Sequence, residues 1–162
     1  MIGASRLKLG DHVEPRFVVL GLRPGSVEDL LEQLLAPLAE AGEISDAEGM
    51  LEELVHRESL QSTGIGSGVA IPHCICDDLD APRVIVGVCP GGTEYRALDD
   101  RPVHVFFLLV SPARDARTHV RLLAQIARLS RRRELLDRIR VAGGPDEVVR
   151  AVRERDEGPE GG

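Results

Sequence analysis

The chain has 162 residues, of which 43% are hydrophobic and only 2% aromatic. A single domain of that length buries roughly two-thirds of the surface its unfolded chain exposes. With so few rings, its core must be built from Leu, Val, Ile and Ala. The 27 acidic residues outnumber the 20 basic ones, and the formal net charge of −7 opposes nucleic-acid binding by the chain as a whole.

Other classes fall away on the same grounds. A bilayer span needs about 20 apolar residues, whereas the strongest apolar run, Val103 to Val110, is short and is broken by His104. No direct membrane insertion is expected, and the N-terminus has no signal pattern. The three cysteines, at 74, 76 and 89, have no disulfide-framework spacing, so a cytoplasmic location is expected.

In chain order, Phe17 to Leu22 reads as a short buried strand. Ser26 followed by Val-Glu-Asp resembles a capping box, opening a helix with Leu30, Leu31, Leu34, Leu35 and Leu38 at helical spacing. Pro37 is expected to kink or shorten this helix, and Ala41-Gly42 to close it. Ser45-Asp-Ala-Glu48 is a capping box for a second helix, whose buried stripe is Met50, Leu51, Leu54 and Val55 and whose C-terminal end delivers Arg57. A loop punctuated by Gly64, Gly66 and Gly68 leads into a strand at Val69-Ala70-Ile71.

Arg83 to Cys89 reads as a strand ended by Pro90-Gly91-Gly92, and Val103 to Val110 as a third strand stopped by Ser111-Pro112. After a polar linker at 113–117, Thr118 is the expected cap of a helix carrying Leu122, Leu123, Ile126 and Leu129. Leu135, Leu136 and Ile139 follow the run Arg131 to Arg133, which reads as a solvated helix end. A last short helix is expected over Asp146 to Val152. Helices alternating with apolar strands make an α/β layered domain. Residues 1–155 are expected to form that single domain, with 156–162 as a disordered tail.

The residues that carry chemistry concentrate between 57 and 73. Pro72 restricts Ile71 to extended geometry and fixes its own φ, so His73 leaves a strand end at a defined angle. The upstream glycines can turn backbone N–H groups toward an anion without Cβ obstruction. Imidazole is partly unprotonated near neutral pH and therefore nucleophilic. Arg57 adds a permanent charge and a forked donor matched to phosphate oxygens. Together these parts suggest reversible phosphorylation of a histidine. His119 falls early in a predicted helix and shares a face with Leu122, Leu123 and Ile126, so it should point inward.

The segment Arg57-Glu58 … Ser62-Thr63-Gly64-Ile65-Gly66-Ser67-Gly68-Val69-Ala70-Ile71-Pro72-His73 resembles the signature of the bacterial phosphotransferase-system (PTS) enzyme IIA domain of the mannitol/fructose type. The nitrogen-regulatory IIA proteins share that type. Ala97-Leu98-Asp99-Asp100-Arg101-Pro102-Val103 and the stretch around His119 resemble two further segments of the family. The resemblance runs from about residue 7 to 152. It implies a three-layer α/β/α sandwich around a mixed sheet, with no cofactor and no metal. It also implies that His73 accepts a phosphoryl group on Nε2 from a phosphohistidine carrier protein (HPr or its nitrogen-type homologue). The group would pass to a cysteine of a IIB partner or serve as a regulatory state. His119 would contact the phosphoryl group or orient the ring, and Arg57 would pair with the phosphoryl oxygens. These residues include neither a IIB cysteine domain nor a membrane IIC segment, so a stand-alone IIA protein is expected.

The chain departs from the family directly after the histidine, where His73-Cys74-Ile75-Cys76-Asp77-Asp78 lacks the usual basic residue. In an extended segment Cys74 and Cys76 point away from His73, so the three do not converge on a metal. They read as small hydrophobes, with a redox-sensitive thiol as the lesser reading. Asp77, Asp78 and Asp80 read as a solvated turn whose field opposes an incoming anion. The same run motivates the alternative function, a non-catalytic binding module that retains the IIA fold. His12, His56 and His104 carry no motif, and His104 is expected to face away from Val103 and Val105.

Overall fold

The structure, a computed structural model, describes residues 6–95 and 100–157. After 3-10 turns at Leu9–His12 and Pro15–Phe17, the chain forms β1 (Val18–Val19), α1 (Val27–Glu40) and α2 (Ala47–Leu60). It continues through β2 (Gly64–Gly66), β3 (Val69–Ala70), β4 (His73–Ile75), β5 (Arg83–Thr93) and β6 (Val103–Ser111). A 3-10 turn at Ala113–Asp115 leads into α3 (Ala116–Leu129), α4 (Arg133–Arg140) and α5 (Pro145–Glu157). The strand order is β1-β5-β6-β3-β2, with β4 also paired to β6. The sheet is mixed, because β5 runs antiparallel to β6 while β3 and β4 run parallel to it.

Each face of the sheet buries a separate aliphatic core. Phe106, Leu108 and Val110 of β6 pack with Leu31 and Leu34 of α1 and Leu54 of α2. Val105, Phe107 and Leu109 pack on the other side with Leu122 and Ile126 of α3 and Val148 of α5. Alternate side chains of one strand thus feed two helical layers, which is the three-layer sandwich the family resemblance implies.

Local chemistry explains most element ends. Ser26 Oγ accepts the Asp29 N–H at 3.0 Å, and the Asp29 carboxylate accepts the Gly25 N–H at 2.9 Å, which holds that carboxyl below its usual range. Pro37 does not shorten α1. The helix continues to Glu40, the Pro37 carbonyl takes the Ala41 N–H at 3.1 Å, and Leu38 is fully buried behind it. The cap of α2 is Asp46 rather than Ser45; its Oδ1 accepts the Gly49 N–H at 2.9 Å. Ser45 is engaged elsewhere, by Asp78.

Three strand boundaries also differ from the sequence reading. Phe17 belongs to a 3-10 turn, which leaves β1 only two residues. Strand β5 runs through Pro90-Gly91-Gly92 to Thr93, because a register shift between Val88 and Thr93 lets the proline sit exposed where no ladder N–H is required. The C-terminal helix runs from Pro145 to Glu157, beyond the expected end at Val152. The tail residues 158–162 and the family-like residues Ala97 to Asp99 lie outside the described residues.

Candidate functional site

The glycine-rich stretch is a β-hairpin rather than an open loop. Gly66 pairs with Val69, and between them Ser67 (φ 59°) and Gly68 (φ 77°) make the two-residue turn of left-handed residues that suits twisted strands. Gly64 and Gly66 are buried, and the Gly64 N–H is held by Ser62 Oγ at 3.1 Å. Those glycines build the hairpin.

Strands β3 and β4 behave as one strand interrupted at Pro72. Val69 lies opposite Val105 and His73 opposite Leu109, so the offset is 36 residues at both points (105 − 69 and 109 − 73). The Pro72 carbonyl still accepts the Leu109 N–H at 3.0 Å, so the pairing with β6 is carried across the proline. His73 follows in a defined pose. Its Nδ1 lies 2.8 Å from the Ile71 carbonyl oxygen. A carbonyl can only accept, so Nδ1 carries the proton and Nε2 keeps its lone pair.

His119 faces this ring from α3. The helix begins at Ala116 with Asp115 in the cap position, so Thr118 is its third residue and not its cap. The two imidazoles stand edge to face, with centroids 5.6 Å apart and an interplanar angle of 61°. His119 is only 8% exposed, and its Nδ1 lies 2.8 Å from Ser111 Oγ. Burial, followed by the nearby His73 and Arg57, pushes its pKa below the ordinary 6.5. The ring is therefore neutral at neutral pH. Ser111 was missed by the sequence reading, which took Ser111-Pro112 only as a strand stop.

Arg57 lies in the last turn of α2, exposed, and its side chain makes no ion pair or hydrogen bond among the described residues. The adjacent Glu58 is occupied: its carboxylate accepts both the N–H (3.1 Å) and the hydroxyl of Thr63, pinning the loop after α2. Arg57 and His73 line one open depression of about 680 Å³, walled by apolar groups including Leu60, Ile65, Ile71 and Leu123. Around it stand unusually exposed apolar side chains: Leu60 (73%), Val120 next to His119 (64%) and Ile75 on the His73 face of β4 (40%).

The two cysteines after His73 turn away from the depression. Cys74 is fully buried in the core beneath α1 and α2, and burial pushes its thiol up to about 12. Cys76 packs against the same core and is also raised by burial. Neither thiol is in a reactive environment, and no cluster of three or more metal-ligating side chains exists among the described residues. Asp77 and Asp78 are exposed yet not merely solvated. Asp77 Oδ1 accepts the Ala113 N–H at 2.8 Å, while Asp78 Oδ2 accepts the Ser45 N–H and hydroxyl, both at 2.8 Å.

Fold and site together define a class: a three-layer α/β domain with an open mixed sheet and two imidazoles meeting at one sheet end beside an unpaired guanidinium. The chain belongs to the PTS EIIA type-2 family; the family model described as "Phosphoenolpyruvate-dependent sugar phosphotransferase system, EIIA 2" matches residues 11–155. Both sugar-specific and nitrogen-regulatory proteins are among its relatives. It is 33% identical to a nitrogen regulatory protein of Pseudomonas aeruginosa over 146 residues, 90% of this chain and 95% of that protein. It is 26% identical to the fructose-specific EIIABC component of Bacillus subtilis over 93% of this chain, but spans only 24% of that longer protein. The crystal structure of nitrogen regulatory protein IIA-Ntr from Neisseria meningitidis superposes with a TM-score of 0.80 at 25% identity, covering 89% of this chain and 98% of that one. IIA mannitol from Escherichia coli shares the fold, with a TM-score of 0.71 at 16% identity, covering 85% and 96%. No helix among the described residues is long and apolar enough to cross a membrane.

Proposed function

We propose that the protein is a phosphoryl carrier in which His73 Nε2 is the acceptor. The observation that carries this reading is the Nδ1–H to Ile71 carbonyl bond of 2.8 Å, which leaves the Nε2 lone pair as the free end of the ring. Nε2 attacks the phosphorus of a phosphohistidine carrier protein; the new N–P bond forms as the carrier's N–P bond breaks, and the carrier's ring nitrogen recovers its lone pair. No proton needs to move at His73, because Nδ1 holds its proton throughout. Onward transfer reverses the roles, with a IIB cysteine thiolate forming an S–P bond as the N–P bond at His73 breaks.

The surroundings supply charge stabilisation and position, which are the main requirements of phosphoryl transfer. Arg57, with no other partner among the described residues, offers forked donors to the phosphoryl oxygens. In this reading the Ser111 hydroxyl, 2.8 Å from His119 Nδ1, acts as the donor, which leaves the His119 proton on Nε2. A neutral His119 can then donate a hydrogen bond to the phosphoryl group without competing for it as a base. The exposed Leu60, Ile75 and Val120 suit docking of protein partners, and the open depression allows an in-line approach. A mannitol IIA protein of this fold has been solved in complex with phosphorylated IIB, which supports a IIB-type recipient. Cytoplasmic residence accords with those partners.

Between the two branches of the family, the nitrogen-regulatory reading has the better support. The Pseudomonas relative is matched over 95% of its length and the Neisseria IIA-Ntr structure has a TM-score of 0.80. The alternative of a non-catalytic binding module loses much of its motivation, since Cys74 and Cys76 pack into the core and Asp77 and Asp78 are engaged in hydrogen bonds.

The test is intact mass after incubation with phosphoenolpyruvate, enzyme I and the carrier protein. One added phosphoryl group, lost in His73→Ala, is expected. Arg57→Ala and His119→Ala should keep the fold and slow transfer by about tenfold or more. No mass gain with cognate partners would end the proposal.

A further inference from the structure

A second cavity, of about 560 Å³, opens at the other end of β6. His104, on its wall, is five residues from Leu109, the register partner of His73, or roughly 16 Å along the strand at about 3.3 Å per residue. The cavity is framed by the Ser67-Gly68 hairpin turn, by Pro102 and His104 at the start of β6, and by the α3–α4 junction.

Here β6 is bulged. The N–H groups of His104 (2.8 Å) and Val105 (3.0 Å) both donate to the Gly68 carbonyl. In consequence Val103 joins the core under α1 and α2 while Val105 joins the opposite core, contrary to the simple alternation expected from sequence. Bulges of this kind re-aim a side chain, and the one re-aimed is His104. Its Nδ1, 3.2 Å from the Cys89 carbonyl oxygen, is the donor, so Nε2 is the acceptor; the Arg140 guanidinium approaches that atom at 3.5 Å. Gly92 makes room for the ring, since a Cβ there would lie 2.8 Å from His104 Cε1.

The charge in the cavity runs against the rest of the chain. Among the described residues its lining has Arg131, Arg133 and Arg140 against one carboxylate, Asp137, three charges against one in a protein of net charge −7, with Arg101 also on the wall. Elsewhere Arg16, Arg83, Arg132 and Arg138 each pair with a carboxylate. The side chains of Arg131 and Arg133 have no ion pair or hydrogen bond among the described residues. Concentrating like charges around a concavity costs self-repulsion that an anion would relieve.

We propose that this cavity binds a small molecule carrying two or more phosphate groups, independently of the histidine site. Guanidinium forks match phosphate oxygens in pairs, and several forks around one concavity exceed what a single phosphate can engage. The volume suits a small ligand, and the acidic remainder of the surface disfavours a long nucleic-acid chain.

Inorganic pyrophosphate is the probe, measured by calorimetry at low salt on the full chain. Pyrophosphate should bind at least tenfold more tightly than orthophosphate. Arg133→Ala and Arg140→Ala should each weaken it tenfold or more, whereas Arg57→Ala should leave it unchanged. Unaltered melting temperatures of the variants exclude unfolding as the cause, and the amide resonances of Gly68, Gly92 and His104 should move on titration. The proposal is overturned by no binding, by equal affinity for the two anions, or by loss in Arg57→Ala with retention in Arg133→Ala. Displacement of pyrophosphate by a sub-stoichiometric single-stranded oligonucleotide would likewise overturn it in favour of nucleic acid.

Discussion

Replacing Ser111 by Ala removes the one oxygen that is hydrogen-bonded to His119 Nδ1. Ser111 is fully buried, and its Oγ is 2.8 Å from Nδ1 of a histidine that is itself 8% exposed. Water cannot readily take its place. A net hydrogen bond is worth about 1 kcal/mol, and stranding a buried ring nitrogen raises the expected loss of stability to about 1–3 kcal/mol. A domain of ordinary stability, about 5–15 kcal/mol, survives this. The consequence for chemistry is separate: if the hydroxyl donates to Nδ1, as proposed, its loss releases the His119 tautomer that bears its proton on Nε2. Transfer from the phosphorylated carrier should slow about tenfold, equivalent to about 1.4 kcal/mol in the barrier. Urea unfolding measures the first effect, rapid-quench transfer the second, and ring-nitrogen NMR shifts report the tautomer directly. Unchanged His119 ring-nitrogen shifts in Ser111→Ala would refute the reasoning, even if the protein were destabilised.

Further outcomes follow from the same geometry. Because His119 has a pKa lowered from 6.5 by burial, the unfolded chain binds more protons than the folded one between the lowered value and 6.5. Stability is therefore full above about 6.5 and declines as pH falls through that window; this decline should be weaker in His119→Gln when urea midpoints are compared across pH. Gln125 is buried between the Leu9 N–H (2.9 Å) and the Leu7 carbonyl (2.9 Å). Gln125→Ala should cost about 1–3 kcal/mol and speed hydrogen exchange at the Leu9 amide. Leu60→Asp and Val120→Asp, at exposed apolar positions, should leave the melting temperature nearly unchanged while lowering the second-order rate of transfer from the carrier, because they alter docking rather than the reacting groups.

What sequence could show depended on the range of the interaction involved. The Ser26 cap was legible because its partner, Asp29, is three residues away. The cap of α2 was misassigned by one residue because Ser45 and Asp46 are both competent, and the choice is made by Asp78, 33 residues on. Strand β2, Gly64 to Gly66, looked like a loop because glycine has little strand preference of its own; its antiparallel pairing with β3 overrides that preference. His73 and Arg57 were visible in one segment. His119 was visible through helical spacing, but its partner Ser111 was not, since no periodicity links a strand end to a helix across a 3-10 turn. The basic cavity was hidden for a related reason: the run Arg131 to Arg133 reads as a solvated helix end until the Gly68 turn and His104 are folded against it.

The acidic run after His73, which looked like an obstacle to an anion site, has a different role in the folded chain. Asp77 holds the Ala113 N–H in the 3-10 turn that leads directly into α3, the helix that carries His119. Asp78 holds Ser45, immediately before Asp46 and α2, the helix that carries Arg57. Those hydrogen bonds lower the pKa of the Asp78 carboxyl and keep it ionised, so the latch is intact at neutral pH. Negative charge beside a helix start is also favourable in itself. Strand β4 therefore carries His73, and the two carboxylates just beyond its end anchor the starts of the helices that carry His119 and Arg57. Where the family resemblance leads one to expect a basic residue the chain has Ile75, and the carboxylates that follow it tie down the starts of α3 and α2.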